Sequence, residues 1–174
     1  VYKEGSVSTP VRIVVDPSSS GLNQILAKGE NMLTRIPEVL ISFRTHRHAW
    51  CSDISKMYNQ LKLSDQALPY SLFLYRESLS DAEDPDVYCM QSAWYGVSSS
   101  GNQANVAVDH LWQEFGEEFP AAVAPLGSDR YMDDVDSGGD SRSEVDEQVR
   151  QVGLCLARGG FKPKFCLLYT SDAA

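Results

Sequence analysis

The stretch RYMDDVDSGG, residues 130–139, places two adjacent aspartates in a segment that predicts a strand, a turn and a second strand. An aromatic-led run precedes Asp133 and Asp134, and a Gly-Gly turn follows them. Adjacent carboxylates in a partly desolvated place repel each other, so the doubly charged state is disfavoured unless cations lie between them. The pair therefore either lies in open water or holds metal, and this stretch alone leaves both interpretations open.

Strand and helix patterns follow one another irregularly along the chain. HAWCSDI, residues 48–54, predicts a strand, and residues 69–76 and 86–94 predict an antiparallel hairpin with a long acidic tip. Apolar residues recur at helical spacing in 101–115 and again in 141–161. Because the order is not strictly βαβ, we expect an α+β fold with an antiparallel sheet.

Finer signals predict where individual helices begin and end. Pro37 predicts either a break or the first turn of a helix. The run 55–63 continues an apolar helical face and predicts a helix directly after the strand. Ser143, three residues before Asp146, predicts the N-cap of the last helix, and Gly159 predicts its left-handed end.

The composition is that of an ordinary globular protein. The 174 residues are 43% hydrophobic and 22% charged, which suits one domain or a large part of one. No apolar run approaches the roughly 20 residues of a membrane span, so we expect no membrane partner. The N-terminus lacks a signal pattern and does not begin with Met, so we expect an internal piece of a longer protein. The four cysteines show no metal-ligand spacing and predict isolated buried thiols in a reducing compartment.

The net charge of −9 argues mildly against nucleic-acid binding, which usually requires a basic face. The distribution matters more than the total, because the segment from Arg35 to Lys62 is locally basic while the acids concentrate in 81–86, 114–118 and 129–147. Acidic loops can coexist with a basic groove, so the charge pattern leaves nucleic-acid binding open.

A third carboxylate belongs with the aspartate pair if two strands are neighbours. Asp53 lies near the end of the predicted strand 48–54, and pairing of this strand with the predicted hairpin would bring it to Asp133 and Asp134. Oxygen-only ligands of this kind suit Mg²⁺, which keeps waters and binds through a few carboxylates plus substrate phosphates. Two such ions about 3.5–4 Å apart would clamp the attacking and leaving oxygens of a phosphoryl transfer.

Five segments resemble, in order, the motifs of reverse transcriptases. VRIVVDPSSSGLNQIL resembles the fingers segment with its basic residue and Leu-Asn, and CSDISKMYNQLKL resembles the palm segment with the first catalytic aspartate. MQSAWYGVSSSGNQAN resembles the segment near the nucleotide and primer, YMDD the central motif, and ARGGFKPKF the Gly-Gly-Phe stretch after the next helix. The resemblance covers residues 10–165 and points to the BEL/Pao type of LTR retrotransposon polymerase.

The resemblance implies a fold and its limits. It predicts a right-hand polymerase palm, with an antiparallel sheet flanked by helices plus partial fingers, in residues 1–165, and no thumb, connection or RNase H segment. The last nine residues, CLLYTSDAA, resemble the in-frame translation of a transposase-type sequencing adapter. We therefore expect residues 166–174 to be a non-native tail, and the alternative is a genuine short strand with a loose end.

The resemblance also implies roles at the predicted hairpin. Asp53, Asp133 and Asp134 match the catalytic carboxylates that hold two Mg²⁺ ions, with Mn²⁺ as an alternative. Tyr131 and Met132 match residues that abut the primer end.

Four further positions match residues that contact the incoming deoxynucleoside triphosphate. Arg12 matches the basic residue on the triphosphate. Tyr58 matches the aromatic residue under the sugar, which excludes a 2′-hydroxyl by its bulk. Tyr95 and Gly96 match the step against which the ribose and the template base pack.

The activity that the resemblance implies is RNA- or DNA-templated DNA synthesis, with primer–template and deoxynucleoside triphosphates as partners. It implies an intracellular, cytoplasmic setting, such as the virus-like particle of a retroelement, within a Gag-Pol-like polyprotein. Without a thumb, the fragment is expected to grip its substrate weakly and to be inactive alone. The alternatives are a catalytically silent, nucleic-acid-binding relic, a two-metal nuclease, and an RNA-templated RNA polymerase.

Overall fold

A computed structural model describes residues 15–77 and 84–168, with backbone alone for residues 167 and 168. The predicted α+β class with antiparallel sheets is confirmed, since all strand pairs of the described residues are antiparallel. The elements are α1 (Leu22–Ile25), α2 (Ile36–Thr45), β1 (His48–Ile54), β2 (Leu72–Tyr75), β3 (Asp86–Cys89), α3 (Ser100–Phe115), α4 (Val123–Gly127), β4 (Arg130–Tyr131), β5 (Asp134–Gly139), α5 (Arg142–Arg158) and β6 (Pro163–Leu168).

The chain divides into two compact units. Among the described residues, the first contains 15–28, 58–77 and 84–100, and the second contains Gly29–Met57 and 101–168. The first unit holds α1 and the two-stranded sheet of β2 and β3. The second unit holds a four-stranded sheet in the order β4-β5-β1-β6.

Strand β1 is the central element of the second unit, and its bounds match the predicted strand. Trp50 and Ile54 are fully buried, because alternate residues of β1 face the core. The indole Nε1 of Trp50 donates to Oε1 of Gln148 on α5 at 2.8 Å, so the buried ring keeps a polar partner. This hydrogen bond connects α5 to the sheet.

Helix α2 begins as the sequence allows, with Pro37 in its first turn. The helix predicted for 55–63 is wrong, since only a 3-10 turn at Tyr58–Gln60 forms there. Lys56 adopts φ 52, in the left-handed region, and a residue in that conformation cannot continue an α-helix from the strand. Met57 is still buried, so its place in the apolar pattern reflects packing rather than helical spacing.

Helix α5 has a different N-cap from the one predicted. The hydroxyl of Ser141 accepts from the Glu144 amide at 3.2 Å, and Oε2 of Glu144 accepts from the Asp140 amide at 2.9 Å. Ser143 lies inside the first turn, so its assignment as the cap is wrong. The left-handed glycine at the other end is Gly160, with φ 77, and not Gly159, with φ −93.

Strand β6 pairs with β1 and extends to Leu168, so Cys166 and the two residues after it are part of the sheet, and whether the tail is non-native stays a prediction. All four cysteines are free thiols. The prediction that they are buried holds for Cys155, whereas Cys51 and Cys89 are half-buried and Cys166 is exposed.

No helix within the described ranges has both the length and the apolar character that a bilayer crossing requires.

Candidate functional site

The turn between β4 and β5 consists of Met132 and Asp133. Tyr131 and Asp134 are register partners on its two sides, so the loop has two residues, as the strand–turn–strand pattern predicted. Met132 has φ 58, a backbone conformation that residues other than glycine seldom adopt. The favoured two-residue hairpin turns require a positive φ at this first position, which explains the conformation of Met132.

Strand β1 brings Asp53 to this turn. Asp53 and Asp134 are directly opposite each other in the register of β1 and β5. Directly opposite residues of an antiparallel pair project from the same face, with Cβ atoms about 4.5–5.5 Å apart. The Ile54 amide donates to the Asp133 carbonyl at 2.8 Å, so the pairing continues into the turn. The three predicted carboxylate positions therefore lie together at one end of the sheet.

The carboxylates of this end of the sheet influence one another. Partial burial raises the pKa of Asp134 above its ordinary value, and the like charges of Asp133, Asp136 and Asp53 raise it further. Partial burial also raises the pKa of Asp136. Asp136 was not predicted from the sequence, although its spacing of two from Asp134 in a predicted strand indicates a shared face.

A groove of about 180 Å³ lies beside these carboxylates. One wall is apolar and comes from α2, and the other carries the tyrosine and two aspartates of the hairpin. Its lining residues are Ile36, Val39, Leu40, Tyr131, Asp134 and Asp136. The groove therefore offers carboxylate oxygens next to an apolar surface.

The residues fit a hydrated cation better than a closed metal cage. Within residues 15–77 and 84–168, no three His, Cys, Asp or Glu side chains are arranged so that they could surround a metal ion. Asp53 and Asp134 are exposed and offer oxygen donors alone. Mg²⁺ has this preference, since it keeps several waters and takes one or two carboxylates plus substrate phosphates.

Two residues predicted for the nucleotide pocket are in contact within the first unit. The rings of Tyr58 and Tyr95 meet edge to face, with centroids 4.9 Å apart. Tyr95 is 47% exposed, and Tyr58 is half-buried. The pair presents aromatic surface to solvent, and each ring restricts the rotamers of the other.

Gly96 occupies a place where only glycine fits. Its φ is 98, and a Cβ there would lie 2.7 Å from the carbonyl oxygen of Val15. Asn23 fixes the chain on both sides, because its Nδ2 donates to the Gly96 carbonyl at 2.9 Å and its Oδ1 accepts from the Ser98 amide at 2.8 Å. The Leu-Asn step of the sequence thus holds the Tyr95–Gly96 step in place, a contact that the sequence alone did not reveal.

One predicted residue has no described position, and one residue near the turn was not predicted. Arg12 lies outside the described residues. Arg130, the first residue of β4, was given no role from the sequence, although it is the one basic residue of the stretch 130–139. Its side chain is 5% exposed and contacts the turn.

No family model matches this chain, and no significantly similar protein emerges from a comparison with curated proteins.

Proposed function

We propose that this chain is the fingers–palm portion of a retroelement reverse transcriptase, which joins deoxynucleotides to a primer under the direction of an RNA or DNA template. In this proposal the sheet β4-β5-β1-β6 and its helices are the palm, and Asp53, Asp133 and Asp134 are the metal-binding carboxylates. The main support for this proposal is the strand register. Asp53 lies opposite Asp134, and the two-residue turn next to Asp134 contains Asp133.

The proposal accounts for an otherwise unfavourable arrangement. Like charges directly opposite each other across two strands destabilise a sheet. Here Asp53 and Asp134 are opposed, and Asp133 and Asp136 add negative charge around them. A cation between the carboxylates would turn this repulsion into attraction, and the exposure of Asp53 and Asp134 leaves room for a second ligand such as a phosphate.

In the proposed reaction, the 3′-hydroxyl of a primer attacks the α-phosphate of a deoxynucleoside triphosphate, and pyrophosphate leaves. Bound Mg²⁺ supplies positive charge to the attacking and leaving oxygens of such a displacement. Asp53, Asp133 and Asp134 would hold that charge at one end of the sheet, and Tyr131 and Met132 would contact the primer end. Positioning and charge neutralisation are the main catalytic contributions in phosphoryl transfer, and the rigid strand pairing of β1 with β5 serves both.

Tyr58 has a separate role in the proposal. Its ring excludes the 2′-hydroxyl of a ribonucleotide by bulk, and its edge-to-face contact with Tyr95 fixes the ring for that purpose. Gly96 lets the backbone turn closely beside Val15, where any side chain would collide.

The test is primer extension on a self-priming hairpin template, at high protein concentration and with and without Mg²⁺. Because the fragment alone is expected to be inactive, the assay uses the chain joined to a thumb, and this wild-type protein is expected to add deoxynucleotides only with Mg²⁺. Asp133→Asn should lower the rate about 100-fold or more, the size expected when electrostatic stabilisation of a transition state is lost. Asp146→Asn is the matched control, since it removes an exposed carboxylate from α5 in the same unit.

The outcomes separate the alternatives. Extension by Asp133→Asn at the wild-type rate removes the assigned role of that residue. Template binding without extension, in wild type joined to a thumb, identifies a silent relic. Shortening of the primer identifies a nuclease, and a preference for ribonucleotides identifies an RNA-making polymerase.

A further inference from the structure

We propose that Arg130 is a positioning residue that fixes the Met132 carbonyl, and with it the turn that carries the carboxylates. This inference rests on the proposed function for its consequence, since the turn positions a metal site only if metal binds there. The geometry of the turn itself is independent of that function.

The guanidinium of Arg130 is buried, and each of its three nitrogens donates a hydrogen bond. Its Nε donates to the Leu126 carbonyl at 3.0 Å, and its Nη2 donates to Oδ1 of Asp109 at 2.7 Å. Its Nη1 donates both to Oδ1 of Asn105 at 2.6 Å and to the Met132 carbonyl at 3.1 Å. The fork of donors therefore joins α4, α3 and the turn in one network.

The turn needs such an anchor because Met132 is held in the left-handed region. A residue other than glycine in that conformation is strained and persists only where its surroundings enforce it. Two contacts do so here, the bond from Arg130 to the Met132 carbonyl and the approach of Asn105 Nδ2 to the Met132 sulfur at 3.7 Å. Both come from the same buried network, and both act on the residue directly before Asp133.

The charge balance of the network explains why arginine stands at this position. Burial lowers the pKa of Arg130, and Asp109, whose side chain is 18% exposed, opposes that shift as the paired anion. A lysine could keep the pair with Asp109, but its ammonium is a compact charge without the planar fork. Arg130→Lys should therefore keep the ion pair and lose the hold on the carbonyl.

The competing explanation is that Arg130 forms a buried ion pair that serves stability alone. Asp109→Asn separates the two, because it removes the charge of the pair while leaving an oxygen acceptor and leaving the Met132 carbonyl bond in place. If Arg130 only stabilises the fold, Arg130→Lys and Asp109→Asn should both lower the melting temperature, and neither should change the turn. Positioning predicts that Arg130→Lys alone loosens the turn.

The experiment follows the turn and the metal separately, at a temperature where every variant is folded. The order of the turn is read from ¹⁵N relaxation of the Asp133 amide and from ¹³C-methyl relaxation of Met132, with buried Met57 as the internal reference. In Arg130→Lys the amide order parameter should fall from the rigid range toward about 0.6, while Asp109→Asn keeps the wild-type value. Mn²⁺ affinity, measured by electron paramagnetic resonance, should fall about 10-fold in Arg130→Lys only, as for other outer residues that orient metal ligands.

Asn105→Ala is the second variant and serves if Arg130→Lys does not fold. It removes one of the two acceptors of Nη1 and the contact to the Met132 sulfur, so it should loosen the turn without disturbing the Asp109 pair. If the order parameter of the Asp133 amide keeps its wild-type value in both Arg130→Lys and Asn105→Ala, the inference is overturned. A wild-type protein that binds no Mn²⁺ overturns the proposed function instead, and the relaxation data still decide whether Arg130 fixes the turn.

Discussion

Asp53 and Asp134 lie directly opposite each other on the antiparallel strands β1 and β5. The sequence separates them widely, so only the sheet brings them together. A cross-strand pair contributes roughly 0.2–1 kcal/mol, and the contribution is unfavourable when the charges are alike. The free energy of unfolding should therefore respond to either charge.

Asp134→Asn is expected to stabilise the metal-free protein by about 0.5 kcal/mol, because it removes repulsion from Asp53. Asp134 is the better choice for this test, since Asp53 is also the register partner of Lys164 on β6. Urea unfolding in EDTA at low salt measures the gain, and 0.5 M NaCl should reduce it by screening. Asp146→Asn serves as the control, and a loss of stability in Asp134→Asn would contradict the prediction.

Mg²⁺ should stabilise the wild-type protein, because a ligand that binds only the folded state raises the free energy of unfolding. At a concentration ten times its dissociation constant the gain is about 1.4 kcal/mol. Thermal unfolding with Mg²⁺ and after addition of EDTA measures it. Asp53→Asn should lose most of the gain, and an equal gain in wild type and Asp53→Asn would show that the ion binds elsewhere.

The sequence predicts elements well where one local signal dominates. The bounds of β1 match the strand predicted from the sequence, and the hairpin follows from strand patterns around a turn. A sequence-based prediction fails where the backbone conformation of one residue determines the structure. At Lys56 the positive φ prevents a helix in 55–63. The local sequence contains no signal for a positive φ at a lysine, so the tertiary structure imposes this conformation.

The candidate site also has a part that the sequence predicts and a part that it does not. The carboxylates and Tyr58 can be identified from the sequence, because their residue types and order carry the resemblance from which they were predicted. The contacts that hold the motifs are not visible, since Arg130 and Asn23 act through backbone carbonyls that any sequence would provide. Such long-range side-chain contacts to the backbone depend on the fold and not on local spacing.

The N-cap of α5 offers a direct comparison of sequence and structure. Ser141→Ala should lower the free energy of unfolding by about 1 kcal/mol, because it leaves the Glu144 amide without its acceptor. Ser143→Ala should have a smaller effect, since it removes only a bond between two exposed hydroxyls. Urea unfolding measures the loss in the free energy of unfolding for both variants. A larger loss in Ser143→Ala would support Ser143 as the N-cap, as the sequence predicted.

Cys155 should resist alkylation in the native protein. Burial raises the pKa of its thiol to about 11, and the charge of Glu118 adds to the effect. At pH 8 only about one thiol in a thousand would then be a thiolate, the form that reacts. Iodoacetamide labelling followed by peptide mass spectrometry should show Cys155 reacting about 100-fold more slowly than exposed Cys166, and equally fast in urea. Equal rates in the native protein would contradict the buried position.

Tyr58→Ala should weaken the preference for deoxyribonucleotides over ribonucleotides about 10-fold or more, because it removes the ring proposed to exclude the 2′-hydroxyl. The measurement is incorporation of each nucleotide in the primer-extension assay, in protein joined to a thumb if the chain alone is too weak. Tyr58→Phe keeps the bulk and the edge-to-face contact with Tyr95, so it should keep the preference. Tyr70→Ala removes a tyrosine that is 63% exposed in the same unit and controls for the loss of a surface ring. An unchanged sugar preference in Tyr58→Ala would leave the choice between DNA and RNA synthesis to another residue.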